Sequence, residues 1–183
     1  MRVVLVRHGA TEWSASGQHT SRTDIALTDA GREAARALAA RLAGREFALV
    51  LSSPLQRART TAELAGFEPE LEPDLVEIDY GDYEGLTTPE IRETRPGWTV
   101  WRDGSPNGET LAQAGERVDR VIARALAANG DVALFAHGHI LRLLAARWLD
   151  LPPERGASFA LGTAAISELG FERETRVIAR WNT

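Results

Sequence analysis

Residues 3–9 read Val-Val-Leu-Val-Arg-His-Gly, four apolar residues stopped by an arginine, a histidine and a glycine. A short unbroken apolar run of this kind predicts a buried strand over 3–6 that ends at Arg7-His8-Gly9. The pattern returns at 132–139, Val-Ala-Leu-Phe-Ala-His-Gly-His, and at 48–54, Ala-Leu-Val-Leu-Ser-Ser-Pro, just ahead of Arg57. Helical spacing fills the intervals. Thr28 caps a helix over 28–42 that lines up Ala34, Ala35, Leu38, Ala39 and Leu42 on one face. Ser53 as N-cap, with Pro54 at the first helical position, opens a second helix over 53–64. A long helix is expected over 111–127 and another from His139 to about residue 149, with further strands over 163–169 and 176–180. Strands alternating with helices predict an α/β fold, a three-layer α/β/α sandwich around a mostly parallel sheet. In such sheets the ligand crevice lies beyond the carboxyl ends of the strands, where the unusual residues of this chain sit.

Away from these runs the chain is less periodic. Residues 11–27 read as a polar loop. Residues 66–108 are rich in Pro, Gly and Trp, and roughly 40 residues make a poor independent core, so they read as a lid-like excursion of one domain spanning 1–183. Hydrophobic content of 44% and charged content of 26% are globular values. No apolar run approaches the roughly 18 residues of a membrane span and no secretory h-region stands at the N-terminus, so a cytoplasmic chain is expected.

Composition also narrows the chemistry. There is no cysteine, which removes thiolate nucleophiles, thiolate metal sites and disulfides. All 21 basic residues are arginines, so a phosphate loop ending in Gly-Lys-Ser/Thr and a lysine Schiff base are both excluded. The net charge of −5 speaks against nucleic acid. An anionic small molecule can still bind where a few arginines converge.

The four histidines are His8, His19, His137 and His139. Two of the predicted strands end in Arg-His-Gly and His-Gly-His, so the sheet can bring His8 and His137 side by side. A zinc site made of His8, His137, His139 and a carboxylate is the rival reading. Arg7, Arg57 and Arg142 flank the cluster, and a dication would repel them where a phosphate dianion would attract them.

Five ordered blocks carry a family resemblance: LVRHGATEW at 5–13, LTDAGREAA at 27–35, SSPLQRARTTAE at 52–63, EIDYGDYEGLT at 77–87 and FAHGHILR at 135–142. Together they resemble the histidine phosphatase superfamily, which includes the phosphoglycerate mutases, and they imply a phosphoglycerate mutase-like fold. By that resemblance His8 is the nucleophile that becomes phosphohistidine. Arg7, Arg57 and His137 hold the transferred phosphoryl oxygens, and Glu77 protonates the leaving alkoxide. An acid in that role must carry a proton near neutral pH, which makes a mildly acidic optimum the expectation. Neutral imidazole is a competent nucleophile, and guanidinium forks suit the equatorial oxygens of a phosphoryl group.

Mutases of this family carry a substantial insert after the YGDYEGL block and paired arginines for the substrate carboxylate. Here Arg92, Arg95 and Arg102 are the arginines between Leu86 and Gly108, none adjacent to another. Phosphatase chemistry on small phosphomonoesters, sugar phosphates or bisphosphates, is therefore expected, with mutase-type transfer the alternative. The stretches at 11–24, 101–110 and 135–148 resemble the branch that holds sedoheptulose-1,7-bisphosphatase and related acid phosphatases. Ser14 stands where the wider family usually has asparagine, and His19-Thr20-Ser21 replaces a common Gln-Gly pair. The branch implies that His19, Thr20, Tyr80, Arg142 and Gly162-Thr163 line the substrate pocket; Ser14 is a further candidate contact, and a backbone N–H of Gly9 or Gly138 can add to the phosphate cradle. Trp98, Trp101 and Trp148 read as packing anchors. The resemblance implies no cofactor and no metal. The partner is a small phosphorylated metabolite, with neither nucleic acid nor membrane, and a homodimer is compatible with the chain.

Overall fold

A computed structural model describes residues 1–183. In chain order the elements are β1 (Val3–Arg7), α1 (Glu12–Ser16), α2 (Asp29–Leu42), β2 (Leu49–Ser52), α3 (Gln56–Leu64) and β3 (Glu70–Leu71). There follow α4 (Thr88–Thr94), α5 (Val100–Asp103), α6 (Leu111–Ala127), β4 (Val132–Ala136), α7 (Gly138–Trp148), β5 (Ile166–Glu172) and β6 (Thr175–Arg180). The strands form one sheet in the order β3-β2-β4-β1-β5-β6. The first four of these run parallel, while β5 and then β6 pair antiparallel.

Alternation along β1 builds the layers. Val3 and Leu5 face the larger core with Leu134 and the apolar sides of α6 and α7, among them Val118, Ile122, Leu141 and Leu144. Val4 and Val6 face the smaller core with Phe135, Leu38 and Leu42 of α2 and Ala62 of α3. Helices thus cover both faces of a mostly parallel sheet, the α/β/α arrangement expected from the strand–helix alternation. The register matters for function. Arg7 lies level with Ala136 across the β1/β4 pair, so His8 and His137 leave the sheet together.

Three local expectations need correction. The helix expected from Ser53 begins at Gln56, because the Ser53 hydroxyl lies 2.8 Å from His137 Nε2 rather than capping helical amides. The strand expected from Thr163 begins at Ile166, since Ala164 adopts a left-handed turn with φ 53° and donates its N–H to the carbonyls of Arg7 and His8. The loop over 11–27 contains α1, held by reciprocal Thr11–Ser14 capping bonds and burying no side chain. The 66–108 segment sends Leu75, Ile78, Ile91 and Trp98 into the larger core. No helix is long and apolar enough to cross a membrane.

Candidate active site

The site begins where β1 and β4 stop. The His8 and His137 rings meet edge to face with centroids 5.2 Å apart. His8 Nδ1 sits 2.7 Å from the Gly9 carbonyl, which can only accept, so Nδ1 carries the hydrogen and Nε2 keeps its lone pair. Burial, reinforced by Arg7 and Arg57, pushes the His8 pKa down to about 3 against a small upward pull from the Gly9 bond. The ring is therefore a neutral, nucleophilic imidazole at physiological pH.

Two arginines frame it. The Arg7 guanidinium packs against the first residue of α7, where a Cβ on Gly138 would sit 3.3 Å from its Cζ and Nε. Its Nη1 donates to the Leu161 carbonyl, but the buried Nε has no protein acceptor. Arg57 is fully buried and spends four of its five N–H donors inside the protein. Nε donates to His137 Nδ1 at 3.1 Å, and the terminal nitrogens donate to the carbonyls of Thr20, Ser21 and Thr23. Because Arg57 donates to Nδ1, His137 carries its hydrogen on Nε2 and gives it to Ser53. Burial and the flanking cations hold His137 well below the usual imidazole range, so it stays neutral.

Glu77 closes this end. Its carboxylate accepts from the backbone N–H groups of Ile78, His139 and Ile140 at 3.0, 2.9 and 2.8 Å. Two of those amides belong to the first turn of α7, so a side chain from 61 residues or more upstream caps that helix. The carboxylate also offsets the positive charge that Arg7 brings to the same helix end.

A cavity of about 370 Å³ opens over these groups. Arg7, His8 and Glu77 form its floor, and Trp98, Trp101 and Arg142 stand on its walls. Of the residues expected to touch substrate, Ser14, His19, Thr20, Tyr80, Gly138 and Arg142 line the cavity. Gly162 and Thr163 do not; Thr163 lies in the turn before β5, and Leu161 lines the cavity instead. Arg57 and His137 stand behind the lining.

Comparison with known proteins agrees with this geometry. The family model for the histidine phosphatase superfamily (branch 1) matches residues 3–183. The chain belongs to the histidine phosphatase superfamily. It is 45% identical to an acid phosphatase of Mycobacterium tuberculosis over 97% of this chain and 90% of that one. It is 38% identical to the sedoheptulose 1,7-bisphosphatase of Saccharomyces cerevisiae over 82% of this chain and 68% of the relative. A solved structure from an open reading frame of Mycobacterium tuberculosis superposes with a TM-score of 0.95 at 43% identity, covering 99% of this chain and 96% of that one. The chain is accordingly an enzyme of the histidine phosphatase type, a phosphoric monoester hydrolase.

Three residues of this histidine phosphatase site were not assigned to it from the sequence: Trp98 and Trp101, read as packing anchors, and His139, weighed only as a metal ligand, all line the cavity. His139 Nδ1 lies 2.6 Å from the Tyr80 hydroxyl on the cavity wall. Burial and Glu77 raise the Tyr80 pKa well above its usual value, while burial and Arg142 lower that of His139. Tyr80 therefore keeps its proton and donates it, leaving the His139 hydrogen on Nε2. His19 Nδ1 donates to the Leu86 carbonyl at 2.7 Å, and its ring stacks parallel to His139. Arg142 lies over the Trp101 ring at 4.7 Å, with Nε donating to Gly156. The spacing of the aromatic residues carried no signal for this clustering, because they come from unconnected segments.

Proposed function

We propose that this histidine phosphatase hydrolyses small phosphomonoesters, sugar phosphates or bisphosphates, through a phosphohistidine on His8. The observation that carries the reading is the cavity floor shared by the Arg7 guanidinium and a neutral His8 whose Nε2 lone pair is free. A cation beside a free imidazole lone pair suits a phosphoryl group, which offers oxygens to the one and phosphorus to the other.

In the first step His8 Nε2 attacks phosphorus and forms a P–N bond. The P–O bond to the alcohol breaks, and a proton from the Glu77 carboxyl goes to the departing oxygen. In the second step water attacks phosphorus, the P–N bond breaks, its proton returns to Glu77, and inorganic phosphate leaves. Arg7 stabilises the equatorial oxygens from the cavity floor, and Arg57, behind the lining, adds its positive charge from beneath with its fork fixed by His137. Arg142, with Nη1 uncommitted, and Arg92 on the cavity wall suit a second anionic group. The cavity volume lies at the small end of the roughly 300–1,000 Å³ of ordinary ligand sites, as a small metabolite requires. Residues 66–108 act as a lid-like part of a single domain over 1–183. A cytoplasmic location is part of the same proposal.

A phosphate-release screen across sugar phosphates and bisphosphates, run with EDTA, tests this. Turnover should survive the chelator and vanish in His8→Ala. Turnover by His8→Ala, or loss of activity to EDTA, would refute the phosphohistidine route. Interconversion of phosphoglycerates without phosphate release would make the enzyme a mutase.

A further inference from the structure

We infer that Arg117, which lies outside the substrate cavity, is a positioning residue that sets where the Glu77 carboxyl meets the leaving group; this rests on the acid role proposed for Glu77. Arg117 projects from the middle of α6 and is only 7% exposed. All five of its N–H donors are used. Nε and one Nη2 hydrogen grip both oxygens of Glu109, at 2.6 and 2.8 Å. The remaining donors reach the carbonyls of Asp74, Val76 and Glu77 itself, at 2.6, 2.7 and 3.3 Å. Glu109 in turn donates its backbone N–H to the Asp79 carbonyl at 2.9 Å. The peptide chain is thus held on both sides of Glu77.

This grip continues along the helix. Arg120 pairs with Asp74, and Arg124 with Glu72 and Glu70, so α6 presents arginines at helical spacing to residues 70–77. Those outer pairs are open to solvent on the arginine side and contribute little each. Arg117 differs because it is buried and bonded to carbonyls of the short 3-10 turn at Pro73–Leu75 and of the irregular chain that follows it. The Glu77 main chain is anchored to α6 while its carboxylate is anchored to the start of α7. A proton donor fixed from both ends stays in line with the P–O bond, and a misplacement of about 1 Å can cost on the order of 10²-fold in rate.

The test compares kcat/KM for an alkyl phosphate, whose alkoxide must be protonated as it leaves, with that for p-nitrophenyl phosphate, whose phenolate departs unaided. Arg117→Met and Arg117→Lys should lose about 10- to 100-fold on the alkyl ester and under about threefold on the aryl ester. Glu77→Gln, measured alongside, should show the same selectivity more strongly. Equal losses on both esters in the Arg117 variants, beside a selective Glu77→Gln, would overturn this inference alone. A Glu77→Gln enzyme without selectivity would overturn the acid role and the inference with it. Should the Arg117 variants not fold, Glu109→Gln decides: a selective loss of about threefold or more supports the positioning role, and an unselective change overturns it.

Discussion

Moving this enzyme from about pH 7.5 to about pH 5.5 should remove about 4 kcal/mol of folding stability, because three imidazoles are buried in their neutral form. His8 is held at about 3, and His137 and His139 are held well below the ordinary range, in each case chiefly by burial. Hydrogen bonding works in the same direction at two of them. Arg57 donates to Nδ1 of His137 and Tyr80 to Nδ1 of His139, so neither ring has its second nitrogen open to a proton. In the unfolded chain each imidazole titrates near 6.5. A folded pKa below the unfolded one means the stability is whole above about 6.5 and is lost as pH falls toward the folded value. Over the two pH units each ring held below that window contributes a little over about 1 kcal/mol, and total stabilities of domains are only about 5–15 kcal/mol. Urea unfolding at the two pH values measures it directly. With a slope of about 2 kcal/mol per molar, the midpoint should fall by about 2 M. In His139→Gln the pH dependence should shrink by about a third. A loss under about 1 kcal/mol in the parent, or an undiminished pH dependence in His139→Gln, would refute the neutral-imidazole account.

The other predictions concern close packing and the cavity wall. Gly31→Ala places a methyl group on the Ala10 backbone and Gly9→Ala places one on the Gly31 carbonyl, so each should cost about 1–3 kcal/mol in thermal or urea unfolding, and more where the backbone cannot shift. Tyr80→Phe removes the donor to His139 Nδ1 and should lower stability by about 1–3 kcal/mol, with a raised KM in a steady-state assay. Arg142→Met should raise KM for a sugar bisphosphate by roughly 10- to 100-fold while leaving that for a small monophosphate nearly unchanged. Equal changes for the two esters would remove Arg142 from recognition of a second anionic group.

The elements legible beforehand are those whose own side chains form the core. β1, β4 and α6 carry unbroken apolar or helical periods and end within a residue of the expected places. α1 has no buried residue, and α4 and α5 span seven and four residues, so no periodic signal could accumulate. Ser53-Pro54 looked like a helix start because local chemistry favours one, but a histidine 84 residues away engages the serine. The antiparallel direction of β5 is a property of its pairing with β1, which its composition does not encode. At the site, Arg7, His8 and Glu77 were visible through the motif blocks and do line one cavity. The Tyr80–His139 pair, the Arg142–Trp101 stack and the grip of Arg117 are long-range contacts between side chains, invisible to any local window.

The central seat of β1 also bears on the birth of the molecule. β1, the earliest strand of this sheet in chain order, finds its two neighbours only when the stretches pairing Val3 with Val132 and with Leu169 have been synthesised. Until then its apolar edges are open to aggregation, and the anion cradle has neither its second histidine nor the helix that Glu77 caps. A pairing across so long a loop closes slowly, so the reaction centre can assemble only after β4 and α7 have been made, ahead of the antiparallel edge of the sheet.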